Sequence, residues 1–315
     1  MKAVLQFRAS TGFIDSLMAA APAWLQIAVV DETDKKTFAE QLADAEVLLH
    51  VLEPVTAQVM AHAPNLKLIQ KIGVGVNTID LDAARAKGIA VANMPGTNSQ
   101  AVAEHTLALM LAALRRVPFL DRAMRAGAGW TLAPDEFDRI GEMCGRTVGL
   151  VGNGEVPRRL GPVLRALGAR VIYTDRTTAA GTVAEWRPLN KLLAEADIVS
   201  LHVPLTPETA QLINAETLGQ MKPGSILINT ARGALVDETA LQAALLSGHL
   251  AAAGLDVVAA EPAGANHPLL TFDNVVLTPH IAWLTSETVR RSLALAFENC
   301  RRLQQNAPLL HQVVP

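Results

Sequence analysis

Short runs of β-branched and aliphatic residues alternate with helix-like patterns along the whole chain, and nothing else in the sequence narrows the fold as much. Residues 4–7, 27–30, 47–49, 68–71 and 90–92 carry the strand pattern, and 37–43, 56–61 and 82–87 carry the helical one. A second series starts at 147, with strands at 148–151, 170–174, 198–201, 225–229, 252–256 and 275–277 and helices at 158–167, 189–195 and 238–247. A strand, a helix and another strand in succession pair their strands in parallel, because the helix returns the chain across one face. The expected fold class is α/β, with parallel sheets covered on both faces.

At 315 residues the chain exceeds what one core usually supports, so two domains are expected. Between the two series lies a longer helix candidate, 97–116, which Asn98 or Ser99 can cap and where Ala103, Leu107, Leu111 and Leu114 recur at helical spacing. A Gly-rich irregular stretch, 125–130, follows it, and a last long helix near 286–303 leads away from the second series. The expected segments are therefore 1–97, 98–283 and 284–315.

Composition excludes several classes. Half the residues are hydrophobic, which excludes a disordered chain, and the net charge of -3 comes without a basic tract, which argues against nucleic acid. Cys144 and Cys300 are too few for a disulfide framework, and no Asp/Glu/His spacing suggests a metal site. The apolar start, residues 1–7, is too short for a signal peptide, and the apolar stretch 107–114 is too short to span a membrane. A cytoplasmic protein without membrane partners is expected.

Strand 147–151 runs into Gly152-Asn153-Gly154-Glu155-Val156-Pro157 and then a helical pattern. A strand, a glycine turn and a helix start cradle a dinucleotide pyrophosphate, because glycine permits close approach and the helix N-terminus offers free N–H groups. Asp175 ends the next strand, twenty-one residues past Gly154, where its carboxylate can accept ribose hydroxyls. That acid favours NAD over NADP, although Arg176 beside it weakens the preference. The expected coenzyme contacts are Gly152, Gly154, Glu155, Val156 and Asp175, with His202 near the same cleft. Against this, Pro157 replaces the usual third glycine, Glu155 brings negative charge to the phosphate region, and Pro162 should bend the helix. A turn without ligand is the alternative for the glycine pair alone.

Three consecutive strand ends carry Arg232, Glu261 and His280. A guanidinium there suits a substrate carboxylate and carbonyl, although a surface arginine is an equal reading of that segment alone. Hydride transfer to a ketone develops negative charge on oxygen, which a protonated imidazole neutralises by giving up its proton. A carboxylate on the other ring nitrogen fixes the tautomer and favours the protonated ring. Trp283 is placed to wall a substrate pocket.

Residues 73–80, 103–106, 229–237 and 254–257, with Glu261-Pro262 and 278–282, give the chain a close resemblance to the D-isomer-specific 2-hydroxyacid dehydrogenases. The resemblance implies two Rossmann/flavodoxin-like domains with the active site in the cleft between them, NAD as cofactor, and reversible reduction of a small 2-oxo acid to the D-2-hydroxy acid. It makes His280 the acid/base, Glu261 its partner and Arg232 the substrate-orienting arginine. Asp256 would hold the nicotinamide carboxamide, Thr230 would be a further coenzyme contact, and Val74 and Gly75 would grip the substrate carboxylate. It also implies a homodimer built on the 97–116 region. Glyoxylate or hydroxypyruvate is favoured as substrate. The lack of an added segment after Pro315 weighs against an amino-acid-regulated phosphoglycerate enzyme. Two other readings stay open: a nucleotide-responsive regulatory protein of the same fold, suggested by Glu155 and Pro157, and a formate- or phosphite-type dehydrogenase. His105, inside the apolar helix, is expected to make a structural hydrogen bond, and Lys71 either faces the substrate or forms a salt bridge.

Overall fold

The computed structural model describes residues 1–176 and 184–315. The chain divides into two units, one made of residues 1–98 and 284–315 and the other of residues 99–283. The first boundary lies one residue beyond the expected one.

The first unit opens with β1 (Lys2–Gln6), α1 (Thr11–Ala20), β2 (Gln26–Val30), α2 (Lys35–Leu42), β3 (Val47–His50), α3 (Ala57–Ala61), β4 (Leu68–Lys71), α4 (Leu81–Ala86) and β5 (Ala90–Ala92). The second holds α5 (Ser99–Leu114), α6 (Val117–Arg125), β6 (Thr147–Val151), α7 (Glu155–Ala166), β7 (Arg170–Thr174), β8 (Glu185–Trp186), α8 (Leu189–Glu195) and β9 (Ile198–Leu201). It continues through α9 (Ala215–Gln220), β10 (Ser225–Asn229), α10 (Glu238–Leu246), β11 (Leu250–Leu255) and β12 (Val275–Leu277). The chain then returns to the first unit as α11 (Ser286–Gln304) and β13 (Gln312–Val314).

The sheet of the first unit has the order β13-β5-β4-β3-β1-β2, and that of the second β12-β11-β10-β9-β6-β7-β8. All pairs are parallel except β13 on β5, which is antiparallel. In each sheet the order reverses between the first strand and its inner neighbour, β1/β3 and β6/β9, the place where such sheets open a crevice at their carboxyl ends. The strands are buried almost throughout: β3, β4, β9 and β10 contain no exposed residue. This explains why they are mostly apolar without a strict alternation, their few polar residues being buried too.

Apolar side chains fill both faces of the second sheet. Leu192, Leu193, Leu218, Leu241 and Leu245 cover one, and Leu109, Met110, Leu160 and Leu164 the other. Helix α5 is part of that second layer, with Ala103, Thr106, Leu109, Met110, Ala113 and Leu114 all buried. The apolar face expected to form a dimer contact is thus used inside its own unit. Large exposed apolar side chains lie instead just beyond it, at Val117, Met124, Trp130 and Phe137. No helix among the described residues is long and apolar enough to cross a membrane.

Candidate active site

The glycine turn after β6 has the geometry a pyrophosphate needs. Gly152 has a φ of 109°, and a Cβ there would come within 2.7 Å of the His202 carbonyl oxygen. Only glycine fits both the conformation and the space. Gly154 is the N-cap of α7 with no side-chain cap, and a Cβ on it would meet nothing within 4 Å. Among the described residues no side chain caps the N–H groups of the first helical turn, and a helix start left so is the arrangement that binds anions. The residues present thus fit a dinucleotide. The N–H groups of Glu155 and Val156 would take the phosphates, and Asp175 the ribose.

The features expected to disturb this turn are accommodated. The Glu155 carboxylate pairs with Arg159 one turn on at 2.6 Å, so its charge is offset on the helix surface. Pro157 is buried at the third helical position, where its missing N–H has no helical partner to lose. Pro162 lies inside α7, yet the helix runs on to Ala166. Asp175 accepts the N–H of Asn153 at 3.1 Å and that of Arg176 at 2.7 Å, which fastens the glycine turn to the end of β7. Each of its oxygens keeps a lone pair for a hydroxyl. The His202 backbone N–H donates to the Val151 carbonyl at 2.8 Å, and the ring nitrogen Nε2 lies 2.9 Å from the Ser200 hydroxyl. Desolvation of the ring pushes the His202 pKa down to about 3. Thr230 reaches Thr106 of α5, hydroxyl to hydroxyl at 2.9 Å; the Thr106 proton is committed to the Val102 carbonyl, so Thr230 is the donor.

The carboxyl ends of β10, β11 and β12 bring two of the expected chemical groups into direct contact. His280 Nδ1 lies 2.6 Å from Glu261 Oε2, and the other Glu261 oxygen accepts the N–H of Val258 at 3.2 Å. His280 Nε2 makes no hydrogen bond among the described residues, and the side chain is 19% exposed. The ring is thus oriented from behind with its far nitrogen open to solvent. Arg232 follows in the turn after β10, with its Nη1 donating to the Ala231 carbonyl at 2.6 Å. Burial lowers the Arg232 pKa, and the charge of Glu261 opposes that shift, so the guanidinium and this carboxylate are close enough to feel each other. Gly233 makes the approach possible: a Cβ there would sit 1.9 Å from the Val258 carbonyl carbon.

Asp256 does more than the sequence indicated. It is 1% exposed, and its carboxylate takes three donors from one loop: the Thr278 hydroxyl at 2.6 Å, the Ile281 N–H at 2.9 Å and the Ala282 N–H at 2.9 Å. The His280 N–H donates to the Asp256 carbonyl at 2.8 Å, and His280 itself takes a left-handed backbone with φ 55°. The loop that presents the imidazole is wrapped around this one carboxylate, whose remaining Oδ2 lone pair can accept a carboxamide N–H. His105 of α5 completes the arrangement, with Nε2 2.9 Å from the Thr278 hydroxyl. Sequence reading passed over Thr278; its place two residues before the histidine was the available signal.

In the first unit Val74 is 45% exposed and Gly75 follows it. The carbonyls of this turn are tied back, Gly73 to the Met94 N–H at 2.8 Å and Val74 to the Asn93 amide at 2.9 Å. Lys71 is buried and donates to the Val51 carbonyl. Trp283, half-buried, closes the second unit three residues after His280. No cluster of three metal-ligating side chains occurs among the described residues.

Comparison with known proteins identifies the family. Residues 107–282 match the family model described as D-isomer specific 2-hydroxyacid dehydrogenase, NAD binding domain. The chain is 41% identical over 282 residues to D-3-phosphoglycerate dehydrogenase of Mycobacterium tuberculosis, covering 88% of this chain and 52% of that one. It therefore spans about half the length of these curated relatives. It is 41% identical over 272 residues to glyoxylate reductase of Aeropyrum pernix, covering 84% of this chain and 81% of that one. The crystal structure of the TT0316 protein of Thermus thermophilus matches with a TM-score of 0.89 at 38% identity, with 100% of each chain covered. The chain belongs to the D-isomer specific 2-hydroxyacid dehydrogenases, a family of NAD-dependent oxidoreductases, and residues 107–282 are its NAD binding domain.

Proposed function

We propose that this protein reduces a small 2-oxo acid to the D-2-hydroxy acid with NADH, reversibly, and that glyoxylate or hydroxypyruvate is its substrate. One observation carries the reading: the 2.6 Å contact between His280 Nδ1 and Glu261, which leaves Nε2 open. A bound dihydronicotinamide supplies the hydride. His280 donates a proton from Nε2 to the ketone oxygen as negative charge develops there, and takes it back in the reverse direction. Glu261 keeps the ring in the tautomer with hydrogen on Nδ1 and stabilises the imidazolium. Arg232 orients the carboxylate and the adjoining carbonyl through its planar donors. Val74 and Gly75 in the first unit are further substrate contacts on this reading, and Trp283 in the second walls the substrate pocket. The Aeropyrum pernix relative, a glyoxylate reductase covered over most of its length, supports the substrate choice.

The regulatory reading rested on Glu155 and Pro157, and loses its main motive once Glu155 is paired with Arg159. No feature of the site favours a formate- or phosphite-type substrate. The exposed Trp130, at 90%, and Phe137, at 50%, support a homodimer in which the 117–137 segment is the contact. A cytoplasmic setting remains part of the proposal.

The test is a panel of 2-oxo acids with NADH, followed by His280→Ala. Turnover should fall by roughly 10²- to 10⁴-fold while NADH affinity stays within about twofold. An unchanged rate in the variant would remove His280 from the chemistry.

A further inference from the structure

Glu261 is itself held by its surroundings, and on the reading above this gives the reaction one more residue. Glu238 is the first residue of α10, whose N-terminus Asp237 caps. Its Oε1 accepts the backbone N–H of Ala259 at 2.7 Å, and its Oε2 lies 3.4 Å from His267 Nε2. Ala259 neighbours Val258, whose N–H donates to Glu261 at 3.2 Å. The same stretch of backbone is where Gly233 makes its close approach. The loop leading to Glu261 is therefore braced twice, by a glycine packed against its backbone and by a carboxylate holding its N–H.

The Glu238 side chain is 20% exposed and that of His267 11%, so the two side chains meet mostly out of water, and the Ala259 N–H donates to a charged acceptor, the stronger kind of hydrogen bond. Nδ1 of His267 is buried and finds no partner among the described residues.

We propose that Glu238 is a positioning residue: by holding Ala259 it aims the Glu261 carboxylate at Nδ1 of His280, without touching substrate or coenzyme itself. A carboxylate–imidazole contact of 2.6 Å tolerates little displacement, and a misplacement of about 1 Å can cost on the order of a hundredfold in rate. Gln at 238 keeps an oxygen for the Ala259 N–H. Asp keeps the charge and the helix-start preference but is one methylene too short to reach.

The experiment compares Glu238→Gln, Glu238→Asp and Glu238→Ala. In coenzyme-free protein labelled with 15N-histidine, the His280 Nδ1–H bonded to Glu261 gives a far-downfield proton resonance, identified by its loss in Glu261→Gln. Glu238→Gln should keep that resonance and a kcat within about threefold. Glu238→Asp and Glu238→Ala should lose or broaden it and lower kcat by roughly ten- to a hundredfold, with KM for NADH within about twofold. A persistent resonance in Glu238→Asp overturns the proposal whatever the activity, as does a Gln variant as impaired as the Asp one. If the unsubstituted protein turns over no 2-oxo acid, the functional reading fails, and the resonance alone still decides the role of Glu238.

Discussion

Both units have a sheet whose order reverses beside its first strand, and they differ at the turn after that strand. In the first unit β1 leads to α1 through a turn without glycine, and Ser10 caps the helix by accepting the Phe13 N–H at 3.2 Å. In the second, β6 leads to α7 through Gly152 and Gly154, and no side chain caps the helix. The same architecture therefore ends one helix internally and leaves the other open to an anion. What separates a structural βα turn from a coenzyme site here is whether the protein satisfies its own helix N-terminus. The later strand ends follow suit. The turn after β4 in the first unit leaves Val74 exposed, whereas that after β10 in the second presents Arg232.

The largest effect expected from disturbing this contrast is at Gly152. Gly152→Ala places a Cβ 2.7 Å from a backbone oxygen at a φ of 109°, which should destabilise the second unit by about 2–3 kcal/mol. NADH affinity should fall more than tenfold, as read by calorimetry. Unaltered affinity in a folded variant would mean that this turn does not hold the coenzyme.

Next comes a pH effect. His50 ends β3, and the equivalent strand of the second unit, β9, is followed by His202. Burial, with the Lys71 charge beside it, pushes the His50 pKa down to about 3 from 6.5. The unfolded chain binds a proton below about pH 6.5 that the folded ring refuses until near pH 3, so stability is full above that window and is lost as pH falls through it. At pH 5 the loss from His50 should be of order 2 kcal/mol. His50→Gln should flatten the stability curve between pH 7 and 5 in denaturant titrations; an equally steep curve would contradict the assignment.

Removing the cap of the first unit is a smaller change. Ser10→Ala should cost about 1 kcal/mol of stability and leave NADH binding untouched. The smallest and sharpest test turns one unit into the other. Gly154→Ser adds a side chain where a Cβ meets nothing, and its hydroxyl should cap α7. We expect a gain of a few tenths of a kcal/mol in stability with a several-fold loss of NADH affinity. A variant that binds NADH more tightly would show that capping and coenzyme binding do not compete.

Much of this was legible before the structure, for identifiable reasons. Strands such as 198–201 and 225–229 are buried on both faces, so each is a mostly apolar, β-branched-rich run bounded by turns rather than an alternating one. The glycine turn was visible because its conformation admits no substitute at Gly152. Glu261 and His280 could be named because each follows a strand on the ligand edge. The elements missed include α6, which follows the left-handed Arg116 without a side-chain cap, the six-residue α9 with its Asn214–Thr217 capping box, and the three-residue β13. Helix α1, ten residues long, was passed over although Ser10 marks its start.

By itself the sequence determined the alternation of elements, hence two parallel-sheet units, and the residue types able to bind a dinucleotide and move a proton. Only the tertiary structure decided how those residues are held. That Asp256 gathers the 278–282 loop and that Glu238 reaches Ala259 depend on contacts between groups twenty-one to twenty-six residues apart in the chain. Hydrogen bonds of this kind are directional and short-ranged, so they exist only where packing has already brought donor and acceptor within about 3 Å. Apolar patterning sets which face a residue takes, and it is silent on which partner that residue meets there.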